Sequence, residues 1–228
     1  MAFTATARQV SALKAVLFAL GLVPVAKMAY LTFSGQLVEP LEHITRGTGD
    51  WVLYFLCITL AVTPLRRLTG WNWLIKLRRE VGLFAFFYAF LHFMTFLWFD
   101  HFFDLAAMWK DVLKRPFITV GFAAFVLLIP LAVTSTNAMI RRLGGKRWQW
   151  LHRLIYLIAP LGILHFWWMK AAKHNFEQPI IFGTIVAVLL GLRLYWRLAK
   201  SAKSDKPAPR APLKTAAGSK AQRDGSLT

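Results

Sequence analysis

The chain has a single cysteine, Cys57, and only ten acidic residues against 28 basic ones. One cysteine excludes an internal disulfide framework and a Cys-x-x-Cys redox pair. Cys57 lies within an apolar run, where we expect it to act as a small buried apolar residue. The sequence also lacks a Gly-x-Gly-x-x-Gly motif, so it predicts no dinucleotide-binding loop of that type.

Hydrophobic residues make up 57% of the chain, the mean hydropathy is +0.48 and the formal net charge is +18. These values exclude an ordinary soluble domain, and they exclude disorder for most of the chain. The basic residues lie between the apolar runs and in the C-terminal stretch, as in membrane proteins. We therefore expect membrane lipid as the surroundings and no nucleic-acid partner.

The apolar runs predict an all-α integral membrane protein, a bundle of six transmembrane helices within residues 15–198. Residues 1–14 are predicted to form a short cytoplasmic N-terminus, and residues 199–228 a disordered, basic cytoplasmic tail. The predicted spans lie at about 15–33, 51–65, 81–99, 116–133, 148–169 and 179–196.

The basic residues also predict the orientation of the bundle. Five of them lie in the loop between spans 2 and 3, and four lie in the loop between spans 4 and 5. The loop between spans 1 and 2 has one. Because basic loops stay in the cytoplasm, both termini are predicted to be cytoplasmic.

Three histidines fall within apolar segments. The run Trp148–Met169 contains His152 and His165, and span 3 contains His92. His92 and His165 both come late in spans that run outward, so we expect them at similar depth in the outer half of the bilayer. Two imidazoles from neighbouring helices at one depth are what axial ligation of a haem iron from both faces requires. The pair therefore predicts a haem site for electron transfer.

His152 is predicted near the inner face, without a histidine at matching depth on span 3. Arg78 and Arg79 occupy the corresponding region there. Four roles remain open for His152. It could ligate a second haem with another partner, share His92, hold a quinone, or hydrogen-bond a haem propionate together with Arg153. We also predict Arg78, Arg79 and Arg153 as contacts for a propionate, a flavin or a quinone.

Small residues near the two histidines would let a flat macrocycle approach the helix backbones. Aromatic residues nearby are candidates for the pocket wall. Histidines in the outer loops are expected to be solvated. The small residues are Ala85, Ala89 and Gly162; the aromatic ones are Tyr88, Phe96, Phe166 and Trp167; the loop histidines are His43, His101 and His174.

Two segments, RREVGLFAFFYAFLHF (Arg78–Phe93) and RWQWLHRLIYLIAPLGILHFWW (Arg147–Trp168), resemble the ferric-reductase-type transmembrane domain family. The resemblance is closest to its bacterial inner-membrane branch of haem subunits for methionine sulfoxide reduction, and it spans nearly all of residues 10–198. It implies haem b and FMN as cofactors, with haem-ligand histidines at His92, His152 and His165. It further implies that electrons pass from the quinone pool to MsrP, a periplasmic molybdopterin enzyme that reduces methionine sulfoxide in oxidised proteins.

The wider family carries two histidines on each ligand helix, whereas span 3 here has one, so one or two haems remain possible. The chain itself is expected to make and break no substrate bonds. Alternatives are a ferric-reductase-type protein that works with a separate soluble flavin reductase, a small proton-coupled transporter, and a structural or assembly subunit. The transporter predicts no visible chromophore, and the assembly subunit predicts replaceable histidines.

Overall fold

The structure is a computed structural model. It describes residues 5–171 and 174–204, without the side chains of 202–204. Every regular element in these ranges is helical. The chain is divided into two compact units, residues 1–194 and residues 195–228. Residues 195–204 of the second unit are helical. The nine α-helices of the described ranges are α1 Ala7–Phe33, α2 Pro40–Thr69, α3 Arg78–Thr95, α4 Leu105–Lys114, α5 Pro116–Val133, α6 Asn137–Leu143, α7 Gly145–Leu151, α8 Ile155–Ala171 and α9 Glu177–Ser204.

Six helical stretches are long and apolar enough to cross a membrane, which confirms the predicted six-helix membrane fold. A π-helical segment, Phe96–Asp100, extends α3, and a 3₁₀ turn, His152–Leu154, joins α7 to α8. We call the end where α1 ends and α2 begins the predicted outer end. The end where α2 ends and α3 begins is the predicted inner end.

Two helices reach beyond the predicted spans. α2 begins at Pro40, before the span predicted from Trp51, and proline suits the first turn of a helix because its missing N–H has no helical partner there. α9 continues through Ser204, past the point where the disordered tail is predicted to begin. The remainder of the predicted tail, residues 205–228, lies outside the described residues.

α2 and α3 pack along most of their length and form the centre of the core. The ring of Phe55 stacks on those of Phe84 and Tyr88, with centroid separations of 5.2 and 5.4 Å. Leu60 and Tyr88 have no exposed surface. α1 approaches α3 closely at Gly21, where the Phe84 ring occupies the space of a side chain.

Tertiary hydrogen bonds lie beside two prolines inside spans, and at Pro64 such a bond replaces the one that the proline cannot make. Pro64 has no N–H to donate to the carbonyl of Leu60, one turn earlier in α2. The buried guanidinium of Arg193 in α9 donates to that carbonyl instead. Next to Pro24 in α1, the Tyr88 hydroxyl donates to the carbonyl of Gly21 and accepts from the amide of Val25.

At the predicted outer end, α4 is an amphipathic helix that connects α3 to α5. Asp104 caps it by accepting hydrogen bonds from the amides of Ala106 and Ala107. Met108 and Val112 are buried, while the opposite face exposes apolar residues at every fourth position: Leu105, Trp109 and Leu113. Such a face suits the boundary between lipid and water.

Candidate functional site

The structure brings His92 of α3 and His165 of α8 together. Their ring centroids are 6.2 Å apart and their planes are inclined by 75°. Both imidazoles line a cavity of about 570 Å³ at the predicted outer end, enclosed by residues of α2, α3, α5 and α8. This volume lies within the range of about 300–1,000 Å³ that is usual for small-molecule sites.

Backbone carbonyls fix the tautomer of both rings. Nδ1 of His92 lies 2.9 Å from the carbonyl oxygen of Thr45, and Nδ1 of His165 lies 2.7 Å from that of Phe117. Because a carbonyl can only accept, each Nδ1 carries the proton and donates. Nε2 of each neutral ring is therefore left with its lone pair, which is the form in which histidine binds a metal.

Two glycines on facing helices make room for these rings. A Cβ at Gly49 of α2 would lie 3.2 Å from Cε1 of His92. A Cβ at Gly121 of α5 would lie 2.6 Å from Nδ1 of His165, closer than real side chains approach. The α5 backbone can therefore meet the ring of His165 only because residue 121 has no side chain.

The cavity is apolar in its depth and charged at its rim. Its walls include four of the residues predicted for the pocket: Ala89, Phe96, Gly162 and Phe166. The other three do not line it: Ala85 and Tyr88 are buried elsewhere in the core, and Trp167 packs against Phe176. Charged residues at the predicted outer end complete the lining: Glu42, Arg46, Asp50, Asp100, Arg115 and Lys170.

His152 lies at the predicted inner end and does not line this cavity. Its Nε2 is 3.2 Å from the hydroxyl of Thr134, and its ring lies 4.0 Å from that of Trp148. The Thr134 hydroxyl donates to the carbonyl of Pro130 at 2.6 Å, so Nε2 of His152 must be the donor to Thr134.

The three predicted arginines are also outside the cavity. Arg78 is half-buried and interacts electrostatically with His152, whereas Arg153 is exposed. Arg79 donates to the side-chain carbonyl of Asn137 at 2.7 Å. The structure therefore places Arg78 and His152 together at the predicted inner end, separate from the His92–His165 pair.

Of the histidines predicted to be solvated, His43 and His174 are exposed. The expectation for His101 is wrong. Its side chain is 11% exposed, 3.4 Å from a carboxylate oxygen of Asp111, and it packs edge-on against Phe96. The folded connection through α4 buries it, which the polarity of the loop does not indicate.

The His92–His165 pair fits a haem iron. With metal–nitrogen bonds of about 2 Å, imidazoles on opposite sides of one metal have ring centroids roughly 6 Å apart. The observed separation is 6.2 Å, and both rings have their Nδ1 protons engaged elsewhere. The sequence predicted these two residues as candidate ligands, but it did not indicate the residues that contact their rings, Thr45, Gly49, Phe117 and Gly121.

Comparisons with known proteins agree with this architecture. The profile of the family described as ferric reductase like transmembrane component matches residues 47–163. Among curated relatives, one from Herminiimonas arsenicoxydans is 67% identical over 206 residues, covering 90% of this chain and 94% of its own. One from Ralstonia nicotianae is 57% identical over 190 residues, covering 83% and 88%. Both are named protein-methionine-sulfoxide reductase heme-binding subunit MsrQ. No solved structure matches the chain.

The six-helix fold and the matched profile define the class: this is an integral membrane protein of the ferric reductase like transmembrane family. Within that class the sequence identity is specific, since three relatives match 83–92% of this chain at 49–67% identity. The chain belongs to the MsrQ family.

Proposed function

We propose that this chain is a multi-pass bacterial inner-membrane subunit that binds haem b and carries electrons outward across the membrane. The electrons would come from the quinone pool, directly or through FMN, and pass to an MsrP-like periplasmic molybdopterin enzyme. That partner would reduce methionine sulfoxide and so repair oxidised periplasmic proteins. The observation that carries the proposal is the His92–His165 pair, at 6.2 Å across one apolar cavity.

The similar proteins support the same reading. The relatives that match most of this chain are named heme-binding subunits of a protein-methionine-sulfoxide reductase. A subunit of that kind needs a partner that performs the sulfoxide chemistry. The proposed part of this chain is to hold the cofactor and to receive that partner.

Haem iron, when bound, would supply one-electron redox chemistry, and ligation by two histidines leaves no open position for oxygen. His92 and His165 would hold it through Nε2. The carbonyls of Thr45 and Phe117 orient the two rings and raise the basicity of the ligating nitrogens. The apolar walls exclude water and lower the local dielectric, which tunes the redox potential.

The donor side of the proposal lies at the predicted inner end. His152, Arg78, Arg79 and Arg153 are the residues we propose for a quinone, a flavin phosphate or a second haem. Support comes from the electrostatic interaction of His152 with Arg78 and from the basic loops at this end. His152 presents a ring with one nitrogen already donating to Thr134.

The test of haem binding is the dithionite-reduced minus oxidised spectrum of the purified protein, with haem quantified per chain. We expect a low-spin b-type spectrum that is lost in His92→Ala and in His165→Ala. Added imidazole should restore it in part, because it replaces the missing ligand without repairing any other defect. His43→Ala, an exposed histidine near the same end, is the matched control and should keep the spectrum.

A colourless wild-type protein, expressed with an adequate haem supply, would overturn the electron-transfer proposal in favour of the transporter. Haem that persists in both single variants would contradict the ligand pair. For the partner, reduced protein in proteoliposomes should be reoxidised by an added MsrP-like enzyme and methionine sulfoxide. Reoxidation by ferric chelates alone would favour the ferric-reductase alternative.

A further inference from the structure

The rim of the His92–His165 cavity carries three cations, and they differ in their partners. Arg46 pairs with Glu42 one turn earlier in α2. Arg115 pairs with Asp111 at 2.9 Å. Lys170, in the last turn of α8, has no direct ion pair among the residues that the structure describes. Its ammonium group lies 5.5 Å from the centre of the buried Phe166 ring.

The charged rim makes the cavity amphipathic along its length. At its deep end, it is bounded by apolar residues such as Leu56, Leu128 and Ile158. Haem b is itself amphipathic, because both of its propionates lie on one edge of an apolar macrocycle. Burial of a carboxylate away from both water and a cation is unfavourable, because the charge loses its hydration without gaining a partner. A haem bound in this cavity would therefore be expected to have its propionate edge at the rim.

We propose that Lys170 binds a haem propionate, and that the propionate edge faces the predicted outer end of the bundle. This inference rests on the proposed function, since it needs haem in the cavity. Lys170 is the rim cation whose charge is not matched by a directly paired carboxylate, and its side chain already lines the cavity. The arginines predicted from the sequence for this contact, Arg78, Arg79 and Arg153, do not line it.

Asp50 is expected to act on the haem midpoint potential in the direction opposite to Lys170. It lines the same cavity and interacts electrostatically with both Lys170 and Arg46. Reduction adds an electron to the haem, so a nearby cation favours the reduced form and a nearby carboxylate favours the oxidised form. A propionate that binds Lys170 would also be kept apart from Asp50 by that ammonium group.

The experiment is an optical redox titration of protein reconstituted with haem b or with its dimethyl ester, which has no propionate charge. We expect Lys170→Gln to lower the midpoint potential of the haem b form. In both haem forms the charge of Lys170 also acts directly on the iron, so the discriminating measurement is haem affinity. Lys170→Gln should weaken the binding of haem b several-fold and leave the binding of the dimethyl ester nearly unchanged, since the ester has no charged group for Lys170 to bind. Lys170→Arg should restore most of the wild-type potential.

Two variants serve as controls. Asp50→Asn should raise the potential, and Lys76→Gln, an exposed charge at the predicted inner end, should leave it unchanged. An unchanged potential in Lys170→Gln would overturn the proposal. An equal loss of affinity for both haem forms would also overturn it, because Lys170 would then act without the propionate.

The outcomes separate this inference from the proposed function. A wild-type protein that binds neither haem form contradicts haem binding itself. A wild-type protein that binds both, with Lys170 variants at the wild-type potential, contradicts only the propionate contact. If Lys170→Gln does not accumulate, Lys170→Met removes the same charge and takes its place. A loss of affinity for haem b with retained affinity for the dimethyl ester would then support the proposal.

Discussion

Gly121 of α5 lies directly against the imidazole of His165, where a Cβ would come within 2.6 Å of Nδ1. We predict that Gly121→Ala displaces the ring and breaks its hydrogen bond to the carbonyl of Phe117. The haem content of the purified protein should fall several-fold, measured as the reduced-minus-oxidised absorbance per chain. Gly49→Ala should have a smaller effect, because its Cβ would lie 3.2 Å from the ring of His92.

Gly191→Ala in α9 is the matched control for these substitutions. Nothing lies within 4 Å of a Cβ at that position. In a helix interior this change removes backbone freedom from the unfolded chain and stabilises by about 0.5–1 kcal/mol. Normal haem content in Gly121→Ala would show that α5 can move away from His165, and that the close approach does not position the ligand.

The helical repeat and the bilayer thickness were enough to predict that His92 and His165 share a depth. Spans 3 and 5, which carry these histidines, run in the same direction because successive spans alternate in direction. The residues that contact the two rings could not be predicted from the sequence, because packing between helices alone brings them to the histidines. They are Thr45, Gly49, Phe117 and Gly121. An isolated glycine within an apolar run was the available signal, and it indicates a close approach without naming the partner.

His101 illustrates the same limit for polar residues. Its sequence neighbourhood is typical of a surface loop, and only the folding of α4 brings Asp111 against it. The six-helix architecture, by contrast, depends on hydropathy within each segment, and the structure confirms it.

We predict that His152→Ala keeps at least one haem per chain, because the cavity between His92 and His165 is remote from it. Reduction of the haem by a soluble quinol should slow, while reduction by dithionite should keep its full amplitude for the remaining haem. The measurement is stopped-flow absorbance of the protein in detergent. Complete loss of haem from a folded His152→Ala protein would contradict the assignment of the ligand pair.

Tyr88→Phe should destabilise the packing of α1 on the bundle. The hydroxyl bridges the carbonyl of Gly21 and the amide of Val25 beside Pro24, with distances of 2.8 and 3.2 Å. Its loss should lower the free energy of unfolding by about 1 kcal/mol, the usual net contribution of a hydrogen bond. Unfolding in mixed detergent micelles measures the change. Tyr54→Phe, at a half-exposed tyrosine of α2, should have no comparable effect.

The charge pattern predicts that the loop between α1 and α2 is periplasmic. Ser34→Cys should therefore react with a membrane-impermeant maleimide in intact spheroplasts. Asn72→Cys, exposed between α2 and α3, should react only after the membrane is permeabilised. The native Cys57 is buried and provides an unlabelled background. The reverse labelling pattern would invert the topology, and with it the proposed outward direction of electron flow.

Arg193 and Pro64 should be energetically coupled through the carbonyl of Leu60. Arg193→Met removes the donor to a carbonyl that Pro64 leaves without its helical partner. A buried acceptor without a partner costs about 1–3 kcal/mol, so we expect a loss of stability of that size, measured by unfolding in mixed micelles. Pro64→Ala supplies an N–H within α2 and should reduce the cost of Arg193→Met.

The double-mutant cycle isolates this coupling from the other contacts of Arg193, including its position 5.5 Å from the centre of the Tyr156 ring. Those contacts are lost equally with either residue at position 64, so they cancel in the cycle. Additive effects of the two substitutions would mean that the carbonyl of Leu60 does not depend on Arg193. The buried guanidinium would then need another reason to lie inside a membrane span, where a charge is costly unless it binds a partner.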